Sequence, residues 1–511
     1  MRIQTAHPRK IPSLASFAPT AKISHARPLH NALSRINHNN RSHRHLSFLP
    51  NPCIHYHPHA RCMHDASTPP SQNPPLPTAS LHLAITNDHD APLRVRLLPG
   101  SPLHRFTSRV EYNPTRMKIL HIITRLIVGG AQENTLLTCE GLRARGHDVT
   151  LLTGPSPGPE GSLMDRANGI GGGGGYKVIV TPHLVRSPHP WHDALAYREI
   201  LRLCRSEKYD VVHTHSSKAG ILGRAAAWKA DVPLVVHTIH GLPFHPYQSA
   251  IARKAWITLE RYAARRCHAI LCVADAMTRQ ALAAGIGSSD QFTTVYSGME
   301  VAPFLHPPAD RAAVRATLQI PADRLVFGTI ARLQPLKGHD DLLAAAADVF
   351  AKIPTAHFLW IGDGIFRPRF QAAIAQRGWQ DRFTLTGLVP PARVAELLPA
   401  MDILVHPSYR EGLARALPQA LLAGVPVISY DCDGAAEVCL TNQTGILVKT
   451  GNIPDLTSAM ITLAQNPNRA TLGQAGRAFC LARFPADVMV AQIEKLYRQY
   501  SLPIMVTEAA P

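Results

Sequence analysis

No apolar run in this 511-residue chain reaches the ~18 residues that span a bilayer, so no membrane-crossing helix is expected. The first residues lack a continuous apolar stretch before a small-residue cleavage site, and no secretory leader is read there. The nine cysteines form no Cys-x-x-Cys pair and show no regular spacing. An odd count without a framework points to reduced thiols and a cytoplasmic setting. Acids are in short supply: 35 Asp and Glu stand against 53 Lys and Arg, a formal charge of +18. Such a balance suits nucleic acid, an anionic membrane or anionic substrates. With no zinc-finger spacing and no aromatic-basic RNA motif, nucleic acid is set aside.

The charge is unevenly placed. Residues 1–116 hold about four acids against about fourteen Lys and Arg, and nearly half of the histidines. They are rich in Pro, His, Arg, Ser and Asn, without a sustained period of 3.6 or 2.0, so a packed core is not expected. A disordered tail, a transit-like segment and translated upstream sequence are the three readings. The last is preferred, because MKILHIITRL at 117–126 reads as a protein start running into a buried strand, and residues 1–116 are then dispensable. His55, His57 and His59 could bind metal, but composition accounts for them better.

From Met117 the pattern alternates. Strands are expected within 118–126, 147–154, 210–215, 233–240, 269–274 and 292–297, with helices between them and a flexible loop at Gly171–Gly175. A second set follows at 325–333, 357–364, 383–389, 402–408 and 426–431, beyond Pro303, Pro307 and Pro308. Near-continuous apolar strands separated by helices indicate parallel sheets covered on both faces. The expected fold class is α/β, with two Rossmann-like domains at 117–300 and 301–484 facing a central cleft. A last helix at 485–500, with Met489, Ile493, Leu496 and Tyr500 at helical spacing, is expected to cross back to the first domain.

Several residues stand where chemistry is done. Gly129 and Gly130 lie at the mouth of a helix, where bare backbone N–H groups can approach a phosphate, or simply make a tight turn. Arg332 and Lys337 follow a strand and could neutralise a leaving diphosphate, or be an ordinary solvated pair. In HPSYREGLARALPQALLAGVPVIS (406–429) a strand ends at Ser408, Glu411 and Gly412 occupy a loop, and a helix is read from about Leu413, with Gln419 inside it. Ser216 and Lys218 open another helix and could meet an acceptor or phosphate, or merely cap. His213 and His215 share a strand face; two ligands make no metal site, and a loop-facing polar end is expected. Asp431 and Asp433 spell Asp-x-Asp, read as not binding metal here. Basic residues Arg253, Lys254, Arg261, Arg265 and Arg266 interleave with Ile251, Trp256, Ile257 and Leu259 in a helix expected at 247–268, which suits an anionic lipid surface or an ordinary domain face.

Taken together, the Gly-Gly loop, the Arg332…Lys337-Gly pair, the Pro-Ser…Glu-Gly segment and the following GVPV resemble retaining glycosyltransferase family 4, of the GT-B fold, over about 117–500. The resemblance implies an enzyme that moves a sugar, with retention, from a nucleoside diphosphate sugar (UDP or GDP) to an acceptor hydroxyl. The setting it suggests is cell-surface polysaccharide or glycolipid synthesis. It implies that Gly129, Gly130, Arg332 and Lys337 hold the donor diphosphate and that Gly387 and Val389 line the base. Glu411 and His240 then meet the transferred sugar, and the amides of Leu413 and Ala414 the phosphates. No metal or other cofactor is implied. The acceptor would be lipid-linked or saccharide, and the enzyme cytoplasmic, with peripheral membrane contact left open. One position departs from the family: Gln419 replaces the acid that binds the ribose, although an amide still hydrogen-bonds hydroxyls. A sugar-nucleotide 2-epimerase and a non-catalytic sugar-binding relative are the alternatives.

Overall fold

The computed structural model describes residues 116–156, 158, 160–170 and 174–501. The expectations for 1–115, including His55, His57 and His59, and for Gly171–Gly173 lie outside them. In the first half, strands β1 (Lys118–Ile123), β2 (Asp148–Thr153), β3 (Lys177–Val180), β4 (Val211–His215), β5 (Leu234–Ile239), β6 (Ala269–Cys272) and β7 (Phe292–Thr294) form a parallel sheet in the order 3-2-1-4-5-6-7. In the second, β8 (Leu325–Ile330), β9 (Ala356–Ile361), β10 (Phe383–Leu385), β11 (Ile403–His406), β12 (Val427–Asp431) and β13 (Gly445–Lys449) run parallel in the order 10-9-8-11-12-13. These are two Rossmann-like sheets, and the inner strands are buried on both faces, as their apolar runs require.

Both strand orders reverse direction beside the first strand, between β1 and β4 and between β8 and β11. Loops diverge at such a switch point and leave a crevice at the strands' carboxyl ends. The segments singled out in the sequence leave β1, β4, β5, β8, β10 and β11 at those ends. One apolar cluster spans both halves, joining Ile239, Leu242 and Phe244 to Leu413, Leu417 and Leu421.

Some boundaries differ from expectation. β3 and β13 were not foreseen; each is a sheet edge, where half-exposed residues blur the apolar run. The first strand ends at Ile123, and six residues separate it from Gly130, which opens the helix. β7 stops at Thr294. The helix after Gly412 begins only at Ala416, not Leu413. Pro418 explains this: lacking an N–H, it fits only in a helix's first turn. The basic helix runs Ala250–Ala264 rather than 247–268.

The last helix, Ala486–Ser501, lies on the first half. Met489, Val490, Ile493, Leu496 and Tyr497 join the cluster that contains Met117, Ile119 and Leu136. Tyr497, not Tyr500, is the aromatic it buries; Tyr500 stays exposed. A Cβ on Gly141 would stand 2.6 Å from a Val490 methyl, so the helix Gly130–Ala144 approaches closely there. Glu494 binds Arg145 at 2.9 Å, His147 at 3.1 Å and Arg498 at 2.6 Å. Burial opposes its charge, but hydrogen bonds from Arg498, Arg145 and His147 outweigh that and bring its pKa down to about 2. A depressed folded pKa contributes stability that is present above the unfolded value, about 4.3, and is lost as pH falls toward 2. Glu494→Gln is therefore expected to cost about 1 kcal/mol at pH 7, with solvent screening. The gap between variant and wild type in urea melts is expected to close between pH 4.5 and 2; a gap independent of pH would contradict this.

Candidate active site

The site is assembled where two loops meet across the halves. His240, Gly241 and Leu242 follow β5; Arg410, Glu411 and Gly412 follow β11. A Cβ on Gly412 would lie 1.9 Å from the His240 carbonyl oxygen, and one on Gly241 3.7 Å from the Gly412 amide. Only glycine allows the first of these approaches. Arg410 donates to the Leu242 carbonyl. Arg415, one turn further on, donates to Ser297 Oγ at 3.0 Å, the Gly298 carbonyl at 2.8 Å and Glu133 at 3.1 Å. Its side chain lies over Gly130, where a Cβ would meet Arg415 Cδ at 2.5 Å. The Gly129–Gly130 loop and the Glu–Gly loop are thus brought together.

Lys337 and Glu411 form an ion pair, and His406 Nε2 lies 3.1 Å from the same carboxylate. Burial alone would raise the Glu411 pKa; Lys337 and His406 outweigh it and hold the group well below the usual carboxylate range. The Glu411 amide donates to Asp433 Oδ2 at 2.7 Å, and Gln280 donates to Asp433 Oδ1 at 2.9 Å. Asp433 is therefore a brace for the loop, with both oxygens engaged. Arg332 is exposed and enters no ion pair among the described residues. The amides of Leu413 and Ala414 take no acceptor among the described residues, so they are open to one.

Gly387 adopts φ +76°, a left-handed turn, and pairs with Gly362; Val389 packs half-buried beside it. Gly362 and Gly364 allow the Ala331–Leu333 backbone to pass close by, which joins the Gly387 turn to the Arg332 loop. Gln419 is half-exposed on its helix. Ser216 bonds Thr124 at 2.8 Å instead of capping, and it lines a 230 Å³ cavity with Ser217, His237, His240 and Glu260. Lys218 is turned away, bound to Asp193 and the Ser187 carbonyl.

His213 and His215 are not a loop-facing polar end. Both are fully buried, because β1 and β5 flank β4 and the last helix covers it. His121, paired with His213 in register, makes a third, and the three present ring nitrogens within 4.8 Å of one another. His213 is already held by the Tyr497 hydroxyl at 2.5 Å and by Thr238 at 2.6 Å, and both nitrogens of His215 are engaged. A metal would have to break those bonds. Sequence reasoning missed His121, His406, Arg415 and the Gly362-Asp363-Gly364 turn. The strand-terminal Gly-Asp-Gly was a readable signal; the others had none.

Two family profiles match the chain, the glycosyl transferase 4-like domain over residues 129–298 and glycosyl transferases group 1 over 310–479. The chain belongs to the group 1 glycosyltransferases. This glycosyltransferase is 26% identical over 387 residues to the Escherichia coli UDP-Gal:alpha-D-GlcNAc-diphosphoundecaprenol alpha-1,3-galactosyltransferase, covering 75% of this chain and 97% of that one. It is 25% identical to a D-inositol 3-phosphate glycosyltransferase of Nocardia farcinica, over 71% and 84% of the two chains. In structure it is similar to Anabaena HepE, solved with UDP, at TM-score 0.63 and 21% identity over 75% of this chain and all of that one. Sucrose-phosphate synthase from Thermosynechococcus elongatus matches at TM-score 0.64 and 20% identity, over 75% and 99%. As a group 1 glycosyltransferase it is an enzyme of the hexosyltransferase class with the GT-B fold, and it transfers a sugar from a nucleotide sugar.

The two-loop contact makes a direct prediction. Gly412→Ala is expected to force the loops apart, costing about 1–3 kcal/mol and lowering turnover at least tenfold. Melting temperature and kcat measure the two effects; a folded variant with wild-type kcat would show that the loops need not touch.

Proposed function

We propose that this enzyme takes a UDP-sugar and transfers the sugar, with retention, to a hydroxyl of a lipid-linked saccharide. The carrying observation is the convergence of Glu411, Lys337 and His240 where the two loops meet at the carboxyl ends of facing parallel sheets. The choice of UDP and of a lipid-linked acceptor rests on the relatives, the E. coli galactosyltransferase above all. The E. coli and Nocardia relatives are transferases by name, which favours transfer over the 2-epimerase.

In this reading Arg332 and Lys337 hold the diphosphate from the second half, and the Gly129–Gly130 loop approaches it from the first. The open amides of Leu413 and Ala414 take phosphate oxygens. Gly387 and Val389 lie along the base and Gln419 hydrogen-bonds the ribose. Glu411, ionised and fixed by Lys337 and His406, accepts hydroxyls of the transferred sugar, and His240 stands on its other side. The leaving phosphate deprotonates the acceptor while fixed cations stabilise its charge, so no metal is needed. Ser216, on the cavity wall, faces the acceptor; Lys218, tied to Asp193, supports that wall. Apposed domains exclude water and limit donor hydrolysis.

The test is turnover and binding in the full chain. UDP is expected to stabilise the protein by about 2.7 kcal/mol at a hundredfold excess over its Kd, and GDP to do less. Arg332→Ala and Lys337→Ala are each expected to lower kcat by two or more decades, the scale of losing one preorganised charge. Glu411→Gln should slow transfer yet bind UDP nearly as well, and Gln419→Glu should keep or improve donor affinity. Activity in excess EDTA is expected to persist. Loss of UDP binding in Glu411→Gln, with full turnover in both cation variants, would overturn these roles.

A peripheral site on the cytoplasmic leaflet belongs to the same reading. No helix among the described residues is long and apolar enough to cross a membrane. On Ala250–Ala264, Ile251 is 85% and Leu259 43% exposed, beside exposed Arg253, Lys254, Arg261 and Arg265. Trp256 and Ile257 instead pack inward. Such a face suits anionic lipid, each basic residue adding about 1 kcal/mol near the surface. Co-sedimentation with phosphatidylserine vesicles, absent with neutral ones and weakened by Ile251→Ser, is expected; binding indifferent to lipid charge would refute it.

A further inference from the structure

Below the cleft, three imidazoles form a hydrogen-bonded line. His121 Nδ1 stands 2.9 Å from His215 Nε2, and His215 Nδ1 stands 3.0 Å from His240 Nε2. Neighbouring rings lie 5.3 Å apart and nearly parallel. The inner end is closed: His121 and His215 are fully buried, and His121 Nε2 has neither solvent nor, among the described residues, a partner. The outer end is open, because His240 is part-exposed and lines the 230 Å³ cavity. Burial holds His121 near a pKa of about 3; burial and then the Arg415 charge do the same for His240, and burial keeps His215 low as well. Each ring is therefore neutral at pH 7 and carries one proton.

Only two proton arrangements satisfy both bonds. In one, every ring is protonated on Nδ1: His121 donates to His215, His215 donates to His240, and His240 points an N–H into the cleft. The buried leftover is then a lone pair on His121 Nε2. In the other, every ring is protonated on Nε2, His240 shows the cleft a bare lone pair, and His121 carries an N–H sealed away from any acceptor. Orphaned buried N–H groups are rarer than under-used acceptors in folded proteins, so the first arrangement prevails. A histidine's second nitrogen commonly sets the tautomer of the first in this way.

We infer that His121 and His215 are positioning residues that fix His240 as a neutral hydrogen-bond donor, its Nδ1–H facing an oxygen of the bound sugar. The sugar contact rests on the function proposed above; the proton arrangement does not. In this role His240 is no general base: its cleft-facing nitrogen has no lone pair to offer.

The first test needs no variant. In the full chain labelled with 15N-histidine, long-range proton–nitrogen spectra at pH 7 are expected to show His240 protonated on Nδ1, its signal identified by its loss in His240→Gln. A proton on Nε2 in the free enzyme would overturn the inference. The second test is kinetic. His215→Leu removes the donor to His240 Nε2 and is expected to mix the two tautomers. It should lower kcat/KM for the UDP-sugar about tenfold while the Kd of UDP, which has no sugar, stays put. His215→Gln, whose amide can donate in place of Nδ1, is expected to recover most of the loss. Equal damage in both, at unchanged melting temperature, would overturn the positioning role. If the spectra hold but kcat/KM stays at wild type in His215→Leu, the line of rings stands and the placing of His240 at the sugar falls.

Discussion

The closeness of Gly412 to the His240 carbonyl is the constraint on which the rest of the site depends. Two independent sheets present their loops to one crevice, and the proposed chemistry needs both sets within a sugar's reach. A methyl group at residue 412 would occupy the carbonyl's place. With glycine there, Arg410 reaches the Leu242 carbonyl and Arg415 reaches Glu133 and the Gly298 carbonyl. Those bonds are charge-assisted and partly shielded, the class with the larger individual contribution. The apolar cluster shared by both halves supports the same contact from below.

That packing governs the electrostatics. Glu411 stays ionised because Lys337 and His406 face it, even though its surroundings favour the neutral acid. Lys337 is thereby half-spent on Glu411, whereas Arg332, exposed at the rim, enters no ion pair among the described residues. Across the contact the histidines beneath the first sheet's carboxyl end are all held neutral by burial. The crevice therefore sets fixed cations and open amides against uncharged rings, the arrangement on which the proposed diphosphate site rests.

The local signals were legible. Apolar runs of four to eight residues gave the inner strands, and glycines at their carboxyl ends marked Gly129, Gly130 and Gly412. Placing Arg332, Lys337 and Glu411 needed only the strand that precedes each. Two of the four edge strands were missed: β3 and β13 are half-exposed, while the edges β7 and β10 were expected from their apolar runs. The helix start at Ala416 was within reach, since Pro418 restricts where a first turn can lie, but the apolar pattern beginning at Leu413 obscured it.

By itself the sequence determined the two α/β halves, the switch-point loops and the residue types that suit a nucleotide sugar, because periodicity and turn chemistry act over a few residues. Only the tertiary structure decided which charges neutralise one another. Lys337 and Glu411 are 74 residues apart, and Arg415 and Glu133 are 282 apart, with no spacing rule to link them. The same holds for His121, His215 and His240: one lies on β1, one on β4 and one just past β5, and parallel pairing alone makes them neighbours. Hydrogen bonds and ion pairs act over a few ångströms of space, and chain separation says nothing about that distance until the sheet has formed.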